Sequence, residues 1–238
     1  MPLTHRIESQ VAGTPVNAYL VEGEHRLVAI DGTLTVSGAR AVRDRIDAIG
    51  KPLAALLVTH AHPDHYGGAV EVVAGSEAPI VATAGVDAAI RRDDEGKEAI
   101  LRPMFGDEWP TQRAFPNRLV EPGAELAFGG IELVVRDGHW ERWLTNLDTL
   151  AAELPDGVTL LPGHGEQAGR ELLDWQRGYI HRFVAAVRAG DWDDPQPAKQ
   201  SVVAAMSAFL PADDLRFLME LSIEPVAAKL GLLEPSDS

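Results

Sequence analysis

Runs of mostly apolar residues at 16–21 and 26–30 flank the polar stretch Glu22-Gly23-Glu24-His25. That is the pattern of a β-hairpin, and it ends at Asp31-Gly32. From 37 to 50 the apolar positions Ala41, Val42, Ile46 and Ile49 alternate with Arg and Asp, with a serine near the start and a glycine at the end. This spacing predicts an amphipathic helix. Residues 53–59 are almost continuously apolar over strand length, as expected of a strand buried on both faces. A short helix over 67–73 and a strand over 79–82 follow. The order strand, strand, helix, strand, loop, helix, strand is an α/β pattern.

The stretch 84–116 reads as a helix over 84–90, a charged turn Arg91-Arg92-Asp93-Asp94-Glu95-Gly96, and an apolar group of Met104, Phe105, Trp109 and Phe115 among prolines and glycines. It is either a helical excursion with its own small apolar patch or a lid carrying substrate contacts. Strands are expected at 118–120, 124–128 and 131–135, the last two joined by Gly129-Gly130. A helix at 140–154 and a strand at 158–161 lead into the tight loop Pro162-Gly163-His164-Gly165. Beyond Glu166 the pattern is helical, with helices expected at 172–189, 201–210 and 213–229. The expected organisation is one domain over 1–165 and a C-terminal helical region over 166–238 packed on it.

Composition narrows the chemistry. The chain has 238 residues, with 21 Lys and Arg against 36 Asp and Glu, a formal charge of −15. Such a surface repels phosphate backbones and anionic lipids, so neither nucleic acid nor a membrane is an expected partner, and a small molecule is. No apolar run has signal-peptide or membrane-spanning length, so a cytoplasmic protein is expected. With no cysteine, any metal must sit among imidazoles and carboxylates, which suits zinc, iron or manganese.

Such a set exists. Thr59-His60-Ala61-His62-Pro63-Asp64-His65-Tyr66-Gly67-Gly68 places three imidazoles and a carboxylate within six positions at the exit of a buried strand. A turn there gathers them around one point, where a divalent ion takes each ligand at about 2 Å. Pro63 stiffens the loop, and the glycine pair permits close backbone approach. The start of the next helix favours an anion. One or two such histidines would read as ordinary loop residues, but three with an aspartate read as a metal site. His5, at an exposed start, His25, in a turn, and His181, on a helix, read as structural or solvent-facing, as do Asp148, Asp156 and Asp174.

His60, His62, Asp64 and His65 match the HxHxDH signature, and on this the chain resembles the metallo-β-lactamase superfamily. The hairpin ending at Asp31-Gly32 resembles the family's opening strands, and His164 its last metal-binding histidine. The resemblance covers roughly 16–165. It implies a four-layer αββα sandwich, of α/β class, with C-terminal helices, and a site along one sheet edge. By that likeness His60 and His62 bind one ion, and Asp64, His65 and His164 a second. Asp64 also orients or deprotonates water, as the catalytic residue. A bound divalent ion moves the pKa of its water toward neutrality, giving a hydroxide for attack on a carbonyl or phosphoryl centre.

The chain departs from the family after residue 135. Gly138-His139 fits an expected Gly-His, but the later carboxylate that bridges two metals has no match, because a helix starts at once with Trp140. It is as if a hairpin-sized segment had been deleted, leaving the second half short of strands. His139 then either completes the first site or merely opens the helix, and Asp137 is a substitute carboxylate in reversed order. The expected function is metal-dependent hydrolysis of a small ester, thioester, lactone or lactam, with one or two Zn2+ ions. The alternative is a member that binds metal or ligand without efficient turnover. No Gly-x-Ser-x-Gly elbow points to a serine hydrolase.

Overall fold

Six strands form the main sheet, in sequence order: β1 (Leu3–Val11), β2 (Thr14–Glu22), β3 (Leu27–Ile30), β4 (Leu53–Leu57), β5 (Ile80–Thr83) and β6 (Arg118–Val120). β1 to β3 pair antiparallel and β3 to β6 parallel. Each parallel connection crosses over through helix, as parallel strands require. These helices are α1 (Val36–Ile49), the short α2 (Pro63–Tyr66) and α3 (Ala69–Val72), and α4 (Ala84–Phe105). A second sheet is the hairpin of β7 (Glu125–Phe128) and β8 (Ile131–Val134). Its turn glycines, Gly129 and Gly130, have φ of 59° and 90°, the left-handed pair that a tight hairpin needs. The computed structural model describes residues 3–11, 13–134, 140–207, 209–210 and 216–233. Asp137 and His139 lie outside these.

Two compact units divide the chain: Met1–Asp137 with Pro162–Glu166, and Gly138–Leu161 with Gln167–Ser238. In the first, one face of the main sheet (Leu20, Ala29, Leu56, Ile80) packs on Val42 and Ile46 of α1, Val72 of α3 and Ile90 of α4. The other face (Val28, Ala55, Leu57, Val81) meets Leu126, Phe128 and Ile131 of the second sheet. Helix, sheet and sheet therefore form three layers within this unit. The second unit holds α5 (Trp140–Glu153), α6 (Glu171–Arg188), α7 (Pro195–Ser207) and α8 (Arg216–Lys229). Its core is built from Val187, Val202, Met206 and Ile223. Among the described residues no helix is long and apolar enough to cross a membrane.

Several expectations need correction. The N-terminal residues form edge strand β1, and His5 lies on it with a side chain 13% exposed, paired with Glu22 at 2.7 Å. The charged stretch 91–96 is no turn. α4 runs through it, because Arg91 pairs with Asp87, Lys97 with Asp93 and Arg102 with Glu98, each four residues apart. Residues 158–161 form only an isolated bridge, Leu160 to Ala168. α7 begins at Pro195, whose ring suits a first helical position.

The helix after the histidine cluster begins inside it, at Pro63, so Asp64 and His65 stand on α2. The glycine pair packs tightly: a Cβ on Gly68 would collide with the Gly32 carbonyl and lie 2.5 Å from the Ala39 methyl. Gly68→Ala is therefore expected to destabilise the protein by about 1–3 kcal/mol through overpacking. The check is a urea titration, where a midpoint equal to the wild type would disprove the close packing.

Candidate metal centre

The site forms where parallel strands β3 and β4 end, the side of an open α/β sheet where ligands bind. Asp31 follows β3 with φ of 62°, a left-handed conformation that aspartate tolerates better than most residues. Its buried carboxylate accepts from the Thr59 N–H (2.8 Å), the Thr59 hydroxyl (2.8 Å) and His65 Nδ1 (2.7 Å). The backbone is tied in step, with Asp31 N–H donating to Leu57 O and Gly32 N–H to His65 O. Since the Thr59 hydroxyl gives its one proton to Asp31, its oxygen accepts from His60 Nδ1 at 3.0 Å.

His164 arrives from far along the chain. Loop 162–165 is gripped by β2. The Asn17 N–H donates to Gly163 O (2.8 Å), its side-chain amide to Pro162 O (3.0 Å) and Gly165 O (2.8 Å), and the Tyr19 hydroxyl to Pro162 O (2.6 Å). Gly163 is required because a Cβ there would lie 2.7 Å from His65 Cε1. His164 Nδ1 donates to Pro15 O at 3.0 Å, which turns Nε2 toward His65.

Three donor atoms then face one point. His65 Nε2 lies 3.3 Å from His164 Nε2, and each is 3.4 Å from Asp64 Oδ2. Around an ion with bonds of about 2.0–2.1 Å, the edge of a coordination tetrahedron is roughly 3.3–3.4 Å. The triangle thus has the size zinc requires before any ion is placed. Both histidines hold Nδ1 on an oxygen and offer Nε2, the outer hydrogen bonding that orients metal-binding imidazoles. The residues present fit a divalent ion.

His60 and His62 lie beside this triangle. The His60 ring centroid is 4.7 Å from that of His62 and 4.0 Å from that of His65. Asp64, His65 and His164 are the set whose donors fall within 4.8 Å of one another among the described residues. Sequence reasoning missed Asp31, Thr59, Asn17 and Tyr19. Asn17 did carry a signal, as a polar residue in the middle of an apolar strand.

Electrostatics favour the same arrangement. Burial, together with the neighbouring His65 and His62, lowers the pKa of His60 to about 3. Burial also lowers that of His62. Both rings are neutral and ready to donate a lone pair. Burial works against charge on Asp64, but the hydrogen bond and charge of His65 outweigh it and keep the carboxyl ionised. Burial likewise opposes a proton on His65, yet Asp31 and Asp64 raise its pKa to about 9.

The metallo-beta-lactamase superfamily pattern matches residues 11–171, a span that contains every residue of this centre. The chain belongs to the metallo-β-lactamase superfamily. A beta-lactamase domain protein from Burkholderia ambifaria superposes with a TM-score of 0.64 at 17% identity, over 96% of this chain and 85% of that one. A metallo-beta-lactamase from Pontibacter korlensis superposes with a TM-score of 0.55 at 15% identity, over 75% and 94% respectively. At such identities the likeness shows the metallo-β-lactamase fold alone. An uncharacterised protein of Bacillus subtilis, YobT, is 45% identical over 53 residues. That match spans 22% of the length of this curated relative.

Within this metallo-β-lactamase fold, a proton on His65 Nε2 occupies the position that an ion held by the triangle would take, so binding there would release it. The raised pKa means that the imidazolium–carboxylate contacts stabilise the metal-free fold fully below pH 6.5. That contribution is lost as pH rises through about 9. Zinc affinity is expected to rise about tenfold per pH unit up to pH 9 and then flatten, with release of about one proton. Calorimetry in buffers of different ionisation enthalpy checks this, and a pH-independent affinity would refute it.

Proposed function

We propose that this protein is a zinc-dependent hydrolase of a small ester, thioester, lactone or lactam. The observation that carries the reading is the Asp64–His65–His164 triangle, already of coordination size and held by Asp31 and Pro15. Family membership supports a metal-dependent hydrolase at the broader level. When bound, a divalent ion supplies Lewis acidity and an acidified water. His65 and His164 hold it through Nε2. Asp64 is kept ionised, so its second oxygen can orient or accept a proton from an attacking water. The neutral His60 and His62 offer lone pairs beside it. The charge of −15 disfavours polyanionic substrates.

A second reading, binding of metal or ligand with little turnover, is favoured by one observation. The second sheet is a two-stranded hairpin among the described residues, and the compact donor set suits a single ion.

Metal analysis of the purified protein, with zinc titration of the stripped form, separates these readings. One tightly held ion per chain is expected, lost in His164→Ala and retained in the His60→Ala/His62→Ala double variant. Two tight sites of similar affinity would contradict this, and no bound ion would remove the hydrolase reading altogether. On a panel of esters and thioesters, Asp64→Asn is expected to lower turnover by about 10²–10⁴-fold while the circular dichroism stays that of the wild type. Undiminished turnover in that variant would exclude Asp64 from the chemistry. A wild type inert on the whole panel yet loaded with zinc would establish the second reading.

A further inference from the structure

Helix α4 touches the metal-binding segment at two points. Lys97 Nζ donates to the Ala61 carbonyl at 2.6 Å. Three residues earlier on the same helix face, Asp94 Oδ1 accepts from the Tyr66 hydroxyl at 2.8 Å. Asp94 is buried and paired with Arg113, whose guanidinium also reaches Gly67 O (3.4 Å) and lies over the Tyr66 and Trp109 rings. Residues 61 and 66 bracket His62-Pro63-Asp64-His65, so the clamp closes on both sides of the stretch that carries Asp64 and His65.

Lys97 is placed here at a cost. Its side chain is 25% exposed, and burial lowers the proton affinity of its amine. The carboxylate beside it, Asp93 at 3.7 Å, is already held by Arg92 through two bonds of 2.6 and 2.8 Å. Lys97 therefore has a long ion pair with Asp93 within its helix, on a carboxylate shared with Arg92. Its short bond goes to the peptide that joins His60 to His62.

We propose that Lys97 is a positioning residue of the metal centre: by holding the Ala61 carbonyl it locks the backbone between His60 and His62 and so sets the placement of Asp64 and His65. This rests on the metallohydrolase reading above. It also gives the segment 84–116 a part in the site, as a brace behind the ligands. Among the described residues, Lys97 makes no hydrogen bond to a ligand side chain. Its effect passes through the backbone, so a change at 97 shows as altered ligand geometry and metal affinity.

The test compares the wild type with Lys97→Met and Lys97→Arg, as full-length chains. Zinc affinity is measured by chelator competition, and ligand geometry by the visible absorption of the cobalt-substituted form. Lys97→Met is expected to weaken zinc by at least about tenfold, the loss seen when support outside the ligand shell is removed, and to change the cobalt bands. Its melting temperature and circular dichroism are expected to stay near the wild type. Lys97→Arg, which still reaches the carbonyl, is expected to recover most of the affinity and the wild-type bands. A folded Lys97→Met protein with affinity within twofold of the wild type and unchanged bands overturns the inference and leaves the hydrolase reading intact. Affinity lost with unchanged bands and a lowered melting temperature also overturns it, since a merely structural lysine behaves that way. If Lys97→Met does not fold, Lys97→Gln, one bond too short to hold the carbonyl, decides by the same measurements. A wild type that takes up neither zinc nor cobalt overturns both readings together.

Discussion

The buried carboxylate of Asp31 is the point on which the rest of the centre hangs. A carboxylate removed from water is tolerated only when donors surround it. Here they come from the exit of β4, through Thr59, and from α2, through His65. Satisfying that one anion joins the ends of two parallel strands to the helix that bears Asp64. It also fixes which nitrogen of His65 is free. Without the anion, the β4 exit and α2 would lose their common anchor, and the imidazoles would have no shared direction to face.

The polarity of the surroundings follows from this. A strongly acidic chain draws cations toward it, yet the centre crowds imidazoles together. They coexist because burial keeps His60 neutral, and because two carboxylates, Asp31 at Nδ1 and Asp64 at Nε2, balance the positive charge of His65. The cluster is therefore a place where positive charge is welcome once, at the triangle, and discouraged beside it.

Much of this was legible in the sequence, and the boundary between legible and hidden is physical. Local periodicity located the β2–β3 hairpin, α1, β4 and the Gly129-Gly130 turn, since each records its neighbours in its own spacing. His60, His62, Asp64, His65 and His164 stood out because four of them share one short motif and the fifth a glycine-flanked loop. Asp31 looked like turn punctuation, because its partners lie 28 and 34 residues away. Lys97 directly follows a run of charges, 91–96, that resembled a turn. The run is helical because its charges pair along one helix, which pattern alone does not distinguish from solvated punctuation. The edge strand β1 alternates too weakly to announce itself, since His5 and Ser9 on its better-covered face are polar.

The grip of Asn17 and Tyr19 on loop 162–165 joins residues 145 and 143 positions apart. During synthesis, β2 leaves the ribosome long before the loop it must hold. The main sheet and the HxHxDH segment can therefore be laid down while the third donor is still unmade, and closing so long a span is the slow kind of step in folding. An ion met by the growing chain finds Asp64 and His65 but no His164. On the hydrolase reading proposed above, metal loading is deferred until residues 138–161 have been made and loop 162–165 has closed on β2, so that acquiring the ion also certifies that closure.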